Sequence, residues 1–181
     1  MSLLGQEDIQ VLNQGEKSEI MKPLAKLLKA IFIGMIVLLF VVIIFQVAIR
    51  ITNNSIAKGL EKELLACEHP TDVEVIDSIS VAGKMEGNGN GMQWFGIILV
   101  KSDMTEDMLR EWYKNQLITG ENEDISVLKQ ETSKVFEYSP WNFKNYSDEG
   151  NYYQVRLMRY SAVGFEKSIW ESILNSDLRG H

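Results

Sequence analysis

From Ala30 to Ile49 the chain reads AIFIGMIVLLFVVIIFQVAI, twenty residues with no charge and one strongly polar side chain, Gln46. A helix rises about 1.5 Å per residue, so this stretch matches the roughly 30 Å hydrocarbon core of a bilayer. Unpaired backbone amides are costly there, so a lone span must be helical. The pattern predicts a single transmembrane helix over 30–49. Residues 1–29 ahead of it are polar, with scattered Leu3, Leu4, Ile9, Val11 and Leu12. They read as a cytoplasmic tail, either without structure of its own or helical on a partner. Pro23 suits the first turn of a helix, where no amide donor is needed. Lys22, Lys26 and Lys29 then fall on one face, with stems long enough to leave the ammonium groups among lipid headgroups.

Beyond Arg50 the apolar positions Ile56, Leu60 and Leu64 recur at i, i+4 and i+8. This is one narrow helical stripe within 50–69. It fits a stalk, a dimer seam or a helix laid on the following domain. Pro70 stops it and sets the expected start of an extracytoplasmic domain at residue 70, running to 181.

There the period changes from helical to alternating. Val73, Val75, Ile79 and Val81 predict a strand, and Trp94 to Lys101 a second, joined through Gly87-Asn88-Gly89-Asn90-Gly91. Asn and Gly accept the positive φ of tight turns, so the pair reads as a hairpin. Asp103 or Thr105 caps a helix reaching about Leu117. Ile125 to Gln130 and Lys134 to Tyr138 predict a second hairpin. Tyr152 to Tyr160 alternates most clearly: Tyr153, Val155, Leu157 and Arg159 on one side, Gln154, Arg156 and Met158 on the other. Phe165, Ile169, Trp170 and Ile173 form the stripe of a final helix, 165–174. The fold class expected is α+β: an N-terminal membrane helix, then a two-layer sandwich. Its sheet is mostly antiparallel with about five strands, and two helices cover one face.

Charge narrows the partners. The 181 residues carry a net −7, and the 131 after Arg50 hold 21 acids against 13 bases, or −8. Nucleic acid needs clustered Lys and Arg, so none is expected as a partner. One cysteine, Cys67, excludes an intramolecular disulfide. The basic lead and the long apolar run fit an uncleaved anchor better than a cleaved signal. Four lysines precede the span, three of them within eight residues of it. The positive-inside rule then puts the N-terminus in the cytoplasm and the larger domain outside.

Candidate chemistry is sparse. Successive amides of Gly87, Asn88, Gly89, Asn90 and Gly91 can cradle an anion, with Trp94 beside them, yet the stretch has neither P-loop nor dinucleotide spacing. A hairpin loop without a ligand explains it better. Trp141, Phe143 and Tyr146 stand in a polar loop, as a partner-binding patch or as a lid folded on the sheet. Leu64-Leu65-Ala66-Cys67 imitates a lipobox, but charged residues separate it from the span. Cys67 and His69 do not complete a zinc set, and no metal or cofactor is expected. Asn53-Asn54-Ser55 and Asn145-Tyr146-Ser147 match the glycosylation triplet. Two functions compete: a membrane-tethered protein-interaction domain, and a tethered hydrolase using carboxylates. The first would serve an envelope or secretion assembly, or an immunity-type binder. Its partner is a second protein or another copy of the chain.

Overall fold

In the computed structural model, residues 5–86, 91–117 and 120–161 are described. Helix α1 runs Gly5–Ala66, so Pro23 lies inside it and not at its first turn. The chain divides into two compact units, Met1–Phe45 and Gln46–His181. In the first, every residue from 21 to 45 is exposed. Among the described helices only α1 is long and apolar enough to cross a membrane.

The second unit is an α+β fold. Strands β1 (Val73–Gly83), β2 (Met92–Ser102), β3 (Glu123–Gln130) and β4 (Tyr152–Ser161) form an antiparallel sheet in the order β1-β2-β4-β3. Helix α2 (Glu106–Gln116) lies between β2 and β3 in sequence. The Thr105 hydroxyl caps it by accepting from the Met108 amide, and Glu106 and Asp107 suit the positive end of its dipole.

The last turns of α1 and helix α2 cover one face of the sheet, here face A. Ala57, Leu60 and Leu64 of α1 and Leu109 and Tyr113 of α2 are buried with Trp94, Ile98 and Val155 beneath them. The stripe within 50–69 is therefore a helix packed on the sheet. Small residues make the seat for α1. Ser78, Ser80 and Ala82 of β1 pair with Ile98, Gly96 and Trp94 of β2, and residues paired across an antiparallel ladder share a face. At Gly96 the two backbones nearly touch: a Cβ there would come within 2.6 Å of the Leu60 carbonyl oxygen and overlap the Glu61 nitrogen. Asn53 of α1, itself buried, accepts a hydrogen bond from the Trp94 indole at 3.2 Å. Beyond α1, the Trp112 indole donates to the Glu68 carbonyl at 3.2 Å, and the His69 ring meets the Tyr113 hydroxyl at 2.9 Å.

The expected strand count needs correction. Among the described residues the sheet has four strands, not about five: Lys134 to Tyr138 forms only an isolated bridge, Lys134 to Asn142. The outer edge of β3, the partner expected for it, is engaged instead by Glu106 and Arg110 of α2. The other sheet face, face B, carries Val81, Phe95, Ile97 and Leu99 and needs cover that no described helix supplies. Residues 133–146 supply it by folding flat onto it. The second helix on face A is the end of α1; the predicted helix 165–174 lies outside the described residues.

β1 does not alternate evenly. A bulge between Val75 and Asp77 inserts Ile76 and inverts the parity. Val73 and Val75 therefore pack with face A, whereas Ile79 and Val81 pack with face B. The bulge also ties down the edge: Ile76 O accepts from Asn145 Nδ2, and Asp77 Oδ2 from the Lys144 amide. On the opposite edge, Lys129 N donates to Glu106 and Val127 O accepts from Arg110, both from α2.

Candidate interaction surface

Face B and the segment over it hold the unusual chemistry of the second unit. Phe136 and Phe143 are buried against the sheet, with Phe136 edge-on to Phe95 at 5.2 Å between centroids. Trp141 and Tyr146 are half-buried at the margin, and Tyr146 leans on Tyr152 at 5.3 Å. Tyr138 stands out, 60 % exposed. The segment also bonds to itself: the Val135 amide donates to Trp141 O and the Phe143 amide to Ser133 O.

Two polar side chains of β4 are buried on this face. Gln154 Nε2 donates to Val135 O and to Gln130 Oε1, each at 3.0 Å. Arg156 donates to the same Val135 carbonyl at 3.0 Å, to Gln154 Oε1 and to the Glu86 carboxylate. Its guanidinium lies over the Phe136 ring, 4.6 Å from the centroid. Burial lowers the Arg156 pKa, and the Glu86 carboxylate opposes that shift. Gln93 closes the nearby hairpin. Its side-chain oxygen accepts from the amides of Met85 and Glu86, and its NH2 donates to Glu86 O.

The sequence-expected site residues separate in space. Gly87, Asn88, Gly89 and Asn90 lie outside the described residues; Gly91, half-buried, leads into β2. Trp94 belongs to face A, where its indole holds α1. Trp141, Phe143 and Tyr146 come together over face B, with Phe143 turned inward. Tyr138, Glu86, Gln154 and Arg156 were not singled out by sequence. Gln154 and Arg156 alternate with apolar neighbours and so read as solvent-facing; only the cover over face B buries them.

Two carboxylates are held below the usual range. Burial works to raise Glu61, but hydrogen bonds from Lys58, Ser78 and Ser80 outweigh it. Its oxygens sit 2.7 Å from Lys58 Nζ and 2.6 Å from Ser78 Oγ. Burial likewise opposes the lowering of Glu123, which the Gly120 amide and Arg159 produce. A depressed folded-state pKa gives stability that is present above the unfolded value and lost as pH falls through the folded one. The urea midpoint of the full chain in micelles should slip slightly below about pH 7, where burial keeps His69 from protonating as readily as in the unfolded chain, and drop further below about 5 as the two carboxylates protonate. Glu61→Gln should lower the neutral-pH midpoint and flatten that drop. An acid limb as steep as in the parent would show that Glu61 does not contribute to it.

Face A holds the sulfur and imidazole. The Cys67 thiol donates to Leu64 O at 3.0 Å, and burial pushes its pKa up. Burial pushes that of His69 down and that of Tyr113 up. Among the described residues, no three His, Cys, Asp or Glu side chains gather as a metal site would require. Asn53 is buried, and the Asn145 amide nitrogen is bonded to Ile76 O, so in this fold neither triplet offers a free asparagine. No protein family, characterised protein or solved structure matches the chain.

Proposed function

We propose that the chain is a single-pass membrane protein whose second unit lies outside the cytoplasm and binds another protein. Such a module suits an envelope or secretion assembly, or an immunity-type binder held at the surface. The observation that carries the reading is the aromatic group Tyr138, Trp141 and Tyr146, presented on a segment whose inner side is fixed by Phe136 and Phe143. Rigid aromatics give large contact area at low entropic cost and often dominate interfaces. The apolar stretch of α1 supports the tether, and the lysines at 22, 26 and 29 support an internal N-terminus.

The full chain is expected to stay with membranes through an alkaline carbonate wash. Protease added to intact cells should remove the second unit. Release by carbonate, or protection until lysis, refutes the tether or the orientation respectively. A photo-crosslinking residue at 138 or 141 should give a discrete adduct that the same residue at Asp72 does not. Equal labelling from all three positions would remove the aromatic surface as the interface.

A further inference from the structure

We propose that residues 133–146 are a releasable lid that lifts from face B as one body while the four strands stay paired, and that the Glu86–Arg156 ion pair governs how often it does so. Three observations carry this.

The first is how the lid is attached. Among the described residues, the hydrogen bonds that fasten it to the sheet all involve a side chain. Asp77 Oδ2 accepts from the amides of Lys144 and Asn145, Asn145 Nδ2 donates to Ile76 O, and Gln154 and Arg156 share the single carbonyl of Val135. A segment held this way can open without breaking a strand ladder, and such segments form the low-stability end of a fold.

The second is that the lid holds its own shape. Val135 N to Trp141 O, Phe143 N to Ser133 O and Ser139 N to Phe136 O are internal bonds, and the Ser139 hydroxyl closes the turn with the Phe136 amide. These bonds survive lifting, so the lid moves as a unit.

The third is the chemistry of the fastening. A buried ion pair on an apolar face is often less stabilising than apolar side chains of similar volume, whereas removing one partner strands a buried charge. Arg156 is 7 % exposed and its partner Glu86 is 44 % exposed. Glu86 lies three residues beyond the end of β1 and is open to solvent. Drawing the carboxylate away leaves the guanidinium buried without a counter-charge, and lifting the lid lets water reach it.

The test is amide hydrogen exchange by mass spectrometry on the full chain in micelles. In the parent, the amides of Lys144 and Asn145, whose acceptor Asp77 Oδ2 stays behind on β1 when the lid lifts, should exchange faster than those of Ile97, Leu99 and Val155. Glu86→Gln should raise lid exchange about tenfold and leave β2 and β4 unchanged, because it strands the buried guanidinium. Arg156→Met should leave the lid as protected as in the parent or more so, since Gln154 still binds Val135 O and no charge remains to hydrate. A merely structural pair would loosen the lid in both variants. The proposal fails if lid and strands exchange at one rate, if Glu86→Gln leaves the lid unchanged, or if Arg156→Met speeds its exchange.

Discussion

Gly96→Ala should destabilise the second unit by about 3 kcal/mol or more, at or above the upper end of the usual cost of overpacking. The added Cβ meets backbone: the Glu61 nitrogen and the Leu60 carbonyl of α1. A flexible side chain could swing aside, but a helix must move as a whole. Lifting it would also loosen Leu60 and Leu64, both fully buried, and the bond between Asn53 and Trp94. Gly59, one position before Leu60, predicts the opposite sign. Nothing lies within 4 Å of its would-be Cβ. Gly59→Ala should therefore gain about 0.5–1 kcal/mol from helix propensity alone. Urea unfolding followed by tryptophan fluorescence, in micelles, reads both. Equal midpoints for the two variants would show that α1 is not seated on β2.

Deletion has the other large effect. A fragment of residues 46–181 should fold, whereas residues 70–181 should lack fixed tertiary structure. The shorter fragment loses Ala57, Leu60 and Leu64 from the core of face A. Fully burying a leucine is worth about 1.5–3 kcal/mol, and domains of this size are stable by only about 5–15 kcal/mol in total. Trp94 would also lose the Asn53 oxygen that its indole needs. Near-UV circular dichroism should be sharp for the longer fragment and flat for the shorter, which should bind a hydrophobic dye. A sharp spectrum from residues 70–181 would show that the end of α1 is dispensable to the fold.

These two predictions rest on contacts that sequence reading reaches only in part. The spacing of Ile56, Leu60 and Leu64 marks a helical stripe, but periodicity does not say what the stripe faces. Gly96 inside an apolar run signals a close approach without naming the partner. In β4 the sharing of faces was legible: Tyr153, Val155 and Leu157 face the helices and Gln154, Arg156 and Met158 face away, as alternation requires. In β1 it was not, because one inserted residue at the bulge reverses every side chain after it. The lid was least legible. Lys134 to Tyr138 has strand-like residues, yet the edge of β3 on which they were expected is engaged by Glu106 and Arg110 of α2. Whether aromatics in a polar loop turn in or out depends on the uncovered face they meet, which is a property of the assembled sheet. Of the candidate site, sequence found Trp141, Phe143 and Tyr146 but missed the buried Arg156 and Gln154 that fasten them, since polar residues in alternation read as wet.

The fastened edges of the sheet bear on life at high local density. The proposed tether would confine this unit to a membrane surface, turning dilute solution into a crowded plane where neighbours meet in a restricted set of orientations. Open strand edges would then template one another into growing ribbons. On β3, Glu106 and Arg110 occupy Lys129 N and Val127 O. On β1, the bulge and Asn145 break the row at Ile76. Each edge thus interrupts the regular row of amides and carbonyls that fibre growth would extend. Even densely clustered, the sheets should remain separate bodies, and contacts between copies should run through side chains.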